Sequence, residues 1–69
     1  MNNQMMRWNW VKDTDNAYII TNTGKVFSRY NCDYISPQEN EAGVIFYTLK
    51  INGKMKSISL KRLLEEAFE

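Results

Sequence analysis

Five basic side chains fall in one short stretch of the chain that contains no acidic residue: Lys50, Lys54, Lys56, Lys61 and Arg62. Ammonium and guanidinium groups bind phosphate and carboxylate oxygens, so these residues could form an anion-binding site. Glutamates precede and follow the stretch, and the net charge of the chain is only +1. A basic patch with acidic flanks and an ordinary solvated hairpin are therefore both compatible with the charges.

Catalytic and metal-binding groups are sparse. The chain has no histidine and one cysteine, which excludes a Ser-His-Asp triad, a histidine-dependent metal nuclease and a zinc finger. Asp13, Asp15 and Asp33 are too loosely spaced for a metal site, and the segment around Asp13 lacks the glycine and terminal glutamate of an EF-hand loop. We expect no catalytic residue, no metal, no cofactor and no enzymatic activity.

The length and composition predict a single small domain over residues 1–69, with 1–7 loosely docked. One cysteine cannot form a disulfide within the chain and fits a reducing compartment. No apolar run approaches the roughly 20 residues of a membrane span, and the N-terminus has no secretory apolar core. The expected location is the cytoplasm, with no membrane partner.

Two hairpins are predicted. Residues 17–21 and 25–29 flank a turn in which Gly24 takes a left-handed conformation and Asn22 caps the turn with its side chain. Trp8, Trp10 and the following Val11 alternate with polar residues, which indicates a short first strand. The segment 31–42 contains the one proline and is interpreted as a surface loop.

Residues 44–69 are predicted to form a hairpin followed by a helix. Asn52-Gly53 favours a two-residue type I′ turn. The resulting register places one set of pairs on the core face: Ile51–Lys54, Leu49–Lys56, Tyr47–Ile58 and Ile45–Leu60. The other face carries Lys50–Met55, Thr48–Ser57 and Phe46–Ser59.

A helix is predicted from Leu60, with Ser59 as its N-cap. Its apolar stripe comprises Leu60, Leu63, Leu64, Ala67 and Phe68. The fold class is therefore α+β: a small antiparallel sheet of three to five strands in two hairpins, with one C-terminal helix packed on its apolar face.

Several candidate contacts with a nucleic acid follow from these elements. Lys61 and Arg62 occupy the first helical turn, where a docked phosphate would offset their mismatch with the helix dipole. The outer sheet face carries Thr48, Lys50, Ser57 and Ser59, and it is either a DNA-reading surface or a routine solvated face. The aromatic residues Trp8, Trp10, Tyr30 and Tyr34 are expected to complete the core, with stacking on bases as the alternative.

The chain resembles a family of small DNA-binding modules, the NUMOD type, which precede the HNH domain of phage and intron-encoded endonucleases. The resemblance begins with Tyr-x-Ile-Thr-Asn-x-Gly-x-Val-x-Ser over residues 18–28. It continues through Trp10, Ile35-Ser36-Pro37, Asn40, Gly43, Tyr47-x-Leu49 and Asn52-Gly53-Lys54, and ends with the helix 60–68, where Arg62 matches the family's arginine. Lys61 stands in place of a histidine, Val44 in place of a tyrosine, and no HNH segment follows Phe68.

The resemblance implies a phage-type module that binds double-stranded DNA, and the missing acid/base and metal-binding groups predict that it is non-catalytic. We expect a monomer or homodimer in the cytoplasm, which is that of the host cell if the chain is phage-encoded. Its expected nucleic-acid-binding residues are Thr48, Lys50, Lys54, Lys56, Ser57, Lys61 and Arg62. The alternative is a small phage inhibitor of the anti-CRISPR or anti-restriction type, which would bind a host nucleic-acid-processing protein. A third possibility is an accessory domain whose nuclease is a separate chain.

Overall fold

The computed structural model describes residues 6–69. The elements in chain order are β1 (Trp8–Trp10), β2 (Tyr18–Thr21), β3 (Val26–Ser28), β4 (Asp33–Ile35), β5 (Gln38–Glu39), β6 (Ile45–Ile51), β7 (Lys54–Ser59) and α1 (Leu60–Phe68). Of the terminus expected to dock loosely, residues 1–5 lie outside the described part of the chain. Arg7 exchanges two hydrogen bonds with Asn22, one through the backbone and one through the Asn22 side chain.

The strands divide between two antiparallel sheets. Strands β1 to β4 form a four-stranded sheet in sequence order, and β5 to β7 form a three-stranded sheet. The α+β class and the C-terminal helix are confirmed, whereas the strands build two sheets rather than one. Pro37 separates β4 from β5, and since proline has no N–H to donate to a ladder, the first sheet ends there.

The second predicted hairpin has the expected register. Tyr47 pairs with Ile58, Leu49 with Lys56 and Thr48 with Ser57. Asn52 and Gly53 have φ values of 52° and 81°, the two positive angles that a type I′ turn requires. The predicted pairing of Ile45 with Leu60 is wrong, because the strand ends at Ser59 and Leu60 begins the helix.

The turn of the first hairpin differs from expectation in one side chain. Gly24 has a φ of 92°, as predicted, but the Asn22 Oδ1 accepts the backbone N–H of Arg7 instead of capping the turn. The backbone of Thr21 holds the turn closed, since its carbonyl accepts the Gly24 N–H at 3.0 Å and its N–H donates to Lys25 at 2.9 Å. The Thr21 hydroxyl also accepts the Lys25 N–H, so the capping role belongs to Thr21.

The segment interpreted as a loop, residues 31–42, contains two short strands. β4 pairs with β3 through Phe27–Tyr34, and β5 pairs with β6 through Gln38–Phe46. Strands of two or three residues carry almost no alternating pattern of their own, and the ladder of the neighbouring strand creates them.

The core lies where the two sheets and the helix meet. Its buried hydrophobic residues are Val11, Ala17, Tyr18, Ile20, Val26, Tyr47, Leu49, Ile51 and Leu63. The predicted helical stripe is confirmed: Leu63 is 2% exposed, and the other members pack against the core. Ser59 is the N-cap, because its Oγ accepts the Arg62 N–H at 3.2 Å.

Two tyrosine hydroxyls connect the sheets. The Tyr47 hydroxyl, on the three-stranded sheet, donates to the Gly24 carbonyl of the other sheet at 2.8 Å. The Lys50 N–H donates in return to the Tyr18 hydroxyl at 3.0 Å. Burial raises the pKa of the Tyr47 hydroxyl above its ordinary value, so this group stays a neutral donor at physiological pH.

The expectation that the aromatic residues complete the core is wrong for three of the four. Trp8, Tyr30 and Tyr34 are 57%, 63% and 58% exposed, and Trp10 is half-buried. Trp10 and Tyr34 pair with Ile19 and Phe27, which lie on the sheet surface that faces away from the core. Within residues 6–69 no helix is long and apolar enough to cross a membrane.

Candidate nucleic-acid interface

The outer face of the β6–β7 hairpin carries three of the predicted contact residues side by side. The hydroxyls of Thr48 and Ser57 lie 3.2 Å apart, directly opposite each other in the ladder. Lys50, two residues along the same strand face, is exposed, and its Nζ lies 5.8 Å from the centre of the Tyr30 ring. This face therefore presents hydroxyl donors and acceptors beside a cation, the groups that contact base edges and phosphates.

Lys54 and Lys56 project from the other face of the same hairpin. Their cross-strand partners are Ile51 and Leu49, which are buried. Both lysines are nevertheless exposed, because β7 is the edge strand of its sheet and long side chains reach past the edge into solvent. The hairpin thus bears ammonium groups on both faces.

The two cations of the first helical turn point into different grooves. Arg62 lines a groove with Lys12, Asp13 and Lys56, and its Nε pairs with a Glu66 carboxylate oxygen at 3.4 Å. Lys61 lines a separate, more apolar groove. Successive helical residues are about 100° apart around the axis, so neighbours in sequence separate in space.

The first helical turn contains no acid and the last no base, as the sequence predicts. The groups at the helix start that can bind a phosphate therefore include its uncapped backbone N–H groups, the Ser59 hydroxyl and the two cations. The charge of Arg62 is partly offset by Glu66 across one turn, an exposed pair of the kind that contributes a few tenths of a kcal/mol. Lys61 has no comparable partner in the described part of the chain.

The seven predicted residues therefore fall into three groups. Thr48, Lys50 and Ser57 share the outer hairpin face; Lys54 and Lys56 lie on its opposite face, with Arg62 near Lys56; Lys61 stands apart. The hairpin lysines form no ion pair within residues 6–69. They are therefore available to an external phosphate.

Two further residues lie beside the hairpin: Lys12, which the sequence did not indicate as a contact, and Tyr30, which it indicated only as an alternative stacking residue. Lys12 lies in the turn after β1 and lines the same groove as Lys56, because the Asn52 N–H donates to the Asp13 carbonyl at 3.3 Å and holds the two turns together. Tyr30 places its ring beside Lys50. No local signal predicts either position, since both depend on contacts across more than 15 residues of sequence.

Comparison with known proteins identifies a likeness to a solved structure. The chain is similar to a solved structure of the HNH homing endonuclease I-HmuI, a protein that binds and cleaves DNA. The match has a TM-score of 0.82 and 27% sequence identity, and it covers 90% of this chain and 36% of the endonuclease chain. This chain therefore spans only about a third of that protein's length.

No protein-family model matches the chain, and no curated protein sequence matches it. The structural match supports the expected relation to a region of an HNH-associated protein. The assignment to the NUMOD type stays a prediction.

Proposed function

We propose that this chain is a non-catalytic DNA-binding module whose β6–β7 hairpin is inserted into the major groove of a duplex. The observation that carries the proposal is the match to I-HmuI, a DNA-binding protein, over 90% of this chain. At 27% identity the likeness extends beyond general fold class. Because the match covers about a third of the endonuclease, DNA cleavage by that protein is not transferred to this chain.

The hairpin has the shape that the proposal needs. A two-stranded antiparallel ribbon fits the major groove, which is about 12 Å wide. Thr48 and Ser57 form the hydroxyl pair on one face and would contact base edges or sugars. Lys50 would reach a phosphate on the same side.

The cations on the second face supply the backbone contacts. Lys54 and Lys56 are exposed at the edge strand, and Lys12 and Arg62 line the groove beside Lys56. Because Leu49 and Ile51 on this second face are buried in the core, only the outer face can lie against the bases. Lys54 and Lys56 would reach the flanking phosphates past the edge strand. Arg62 contributes less, because Glu66 already neutralises part of its charge.

The proposal includes the absence of catalysis and a place in the cytoplasm of a phage-infected cell. No histidine is available as a base or metal ligand, and the single cysteine fits a reducing compartment. The phage origin and the NUMOD type rest on the sequence resemblance. The inhibitor of a host defence nuclease draws no support from the comparisons, so it is not proposed here.

The test is duplex binding at two salt concentrations, measured by fluorescence anisotropy on a labelled duplex. If Lys50, Lys54 and Lys56 each neutralise one phosphate, the log–log salt slope is about −2.7. Between 50 and 200 mM salt the affinity should then fall about 40-fold. Lys54→Gln and Lys56→Gln should each reduce the slope by about 0.9 and weaken binding to all sequences alike.

Lys61→Gln is the matched control. It removes the same charge from an exposed lysine of the same region, but from a different groove, so its slope should equal that of the wild type. Equal losses for all three variants would show that binding depends on net charge rather than on the hairpin, and a loss for Lys61→Gln alone would place the DNA at the helix start. Undetectable binding of the wild type to any duplex at low salt would overturn the proposed function.

A further inference from the structure

A row of apolar side chains crosses the outer face of the four-stranded sheet. Trp10 pairs with Ile19, Ile19 with Phe27, and Phe27 with Tyr34. Directly paired residues of antiparallel strands lie on the same face, so these four side chains form one continuous line over all four strands. Trp8 extends the row, with its ring 5.4 Å from that of Trp10 in an edge-on arrangement.

No described element packs on this row. The buried core residues of the central strands, such as Ile20 and Val26, alternate with Ile19 and Phe27 and point to the opposite face. The helix contacts that opposite face through the Asn9 side chain, which donates to the Ala67 carbonyl at 2.9 Å. The row contains no residue of the core cluster, and its outer members Trp8 and Tyr34 are more than half exposed.

Cations stand at both ends of the row. The guanidinium carbon of Arg29 lies 5.7 Å from the centre of the Trp10 ring, and the Lys25 ammonium lies 6.0 Å from that of Tyr34. The strand residues that share this face comprise aromatic, aliphatic and hydroxyl side chains, with no acid among them. The face therefore combines flat apolar rings with a positive charge at each edge.

The exposed rings and the flanking cations indicate which kind of ligand fits this face. A second copy of the chain would bring two more cations and no acid, so a self-complementary contact would place like charges together. A single-stranded nucleic acid offers flat apolar bases for the rings and phosphates for Lys25 and Arg29. Four-stranded antiparallel sheets that expose aromatic rings bind two or three bases in this way, and three strand spacings give the row a length of about 14 Å.

We propose that the outer face of β1–β4 binds unpaired bases of a single-stranded nucleic acid, with Tyr34 and the Trp8–Trp10 pair as stacking platforms. This site shares no residue with the β6–β7 hairpin. It goes beyond duplex binding and does not depend on it. A module with both surfaces would hold a duplex next to an unpaired segment.

The chain supplies its own reporter for this site. Its two tryptophans, Trp8 and Trp10, both lie in the row, so intrinsic tryptophan fluorescence detects a base stacked there. The probe is an eight-nucleotide oligothymidylate, with an abasic oligomer of the same length as the control for phosphate contacts. We expect quenching by oligothymidylate, and weak binding without quenching by the abasic oligomer.

The variants separate stacking from charge. Tyr34→Ala should weaken oligothymidylate binding by between about 5-fold and 150-fold, the range for loss of one stacking contact. Tyr30→Ala removes a similarly exposed tyrosine that lies off the row, beside Lys50 of the hairpin, and should leave the affinity for oligothymidylate unchanged. Lys25→Gln, which retains the aliphatic stem, should reduce the salt slope by about 0.7; it tests the site even if Tyr34→Ala does not fold.

Several results would overturn the proposal. These are an unchanged fluorescence, equal binding of the abasic oligomer, or equal affinities for Tyr34→Ala and Tyr30→Ala. A dimer in sedimentation equilibrium that Tyr34→Ala dissociates would assign the face to a second copy instead. Lys54→Gln should weaken duplex binding and leave the quenching by oligothymidylate unchanged. If Lys54→Gln abolished both the duplex binding and the quenching, the hairpin rather than the row would be the binding site for single strands. Tighter binding of an eight-nucleotide oligouridylate than of oligothymidylate would support the same site, with RNA as the source of the bases.

Discussion

Replacing Tyr47 by phenylalanine removes one hydroxyl from the junction between the two sheets and leaves the ring in place. The hydroxyl donates to the Gly24 carbonyl at 2.8 Å, and Tyr47 is 2% exposed. A hydrogen bond of this kind contributes about 0.5–1.5 kcal/mol net to the free energy of unfolding. For a domain of this size each kcal/mol corresponds to about 4–8 °C, so Tyr47→Phe should lower the melting temperature by about 2–12 °C at neutral pH.

The same substitution has a predicted pH dependence. Burial raises the pKa of the Tyr47 hydroxyl in the folded state, whereas the unfolded chain titrates at the ordinary tyrosine value of about 10. The stability that the neutral hydroxyl provides is therefore complete below pH 10 and is lost as the pH rises through the folded-state pKa. Phenylalanine has no such titration, so the difference in melting temperature between wild type and Tyr47→Phe should shrink above pH 10.

The assay is thermal unfolding followed by circular dichroism at several pH values from 7 to 11. Tyr34→Phe is the matched control, because its hydroxyl is exposed and its loss should change the melting temperature by no more than a degree or two at any pH. Equal effects of the two substitutions at pH 7 would refute the role of the sheet-to-sheet hydrogen bond. A constant difference between wild type and Tyr47→Phe up to pH 11 would refute the raised pKa.

Three further outcomes are expected. Leu63→Ala should lower the free energy of unfolding by about 2–5 kcal/mol, because it truncates a side chain that is 2% exposed. Glu66→Ala should lower it by less than about 0.5 kcal/mol. Similar melting temperatures for the two variants would show that the helix does not dock on the core. Gly53→Ala should lower the free energy of unfolding by about 1–2 kcal/mol. Backbone strain at a φ of 81° is the sole cause, because an added Cβ meets nothing within 4 Å. Unchanged stability would argue against the type I′ turn. The purified chain should not hydrolyse DNA with Mg²⁺, Mn²⁺ or Zn²⁺, and metal-dependent cleavage abolished by a point substitution would contradict this.

Local signals explain the parts of the fold that the sequence predicts correctly. Asn52-Gly53 tolerates two positive φ angles and so determines the turn; the alternation on either side then determines the register. Ser59 can satisfy a free N–H of the first helical turn, and the apolar stripe after it has helical spacing. These interactions connect residues only a few positions apart, which is why a single sequence is sufficient to identify them.

Placement of the candidate site was only partly predictable. The register alone brings Thr48, Ser57 and Lys50 to one face. Lys61 is separated from the other cations because of the position in which the helix docks. Lys12 lies beside Lys56 because two turns that are distant in sequence contact each other. Charge in a linear sequence does not show which groups share a surface.

The sequence by itself determined the hairpins, the capped helix and the α+β class, because turn chemistry and side-chain periodicity act within one element. Only the tertiary structure decided that the strands divide at Pro37 into two sheets, and that the row from Trp10 to Tyr34 faces outward. An aromatic residue in an alternating strand satisfies the pattern on either face. Which face is buried depends on where the helix and the second sheet pack, and those contacts join residues from opposite ends of the chain.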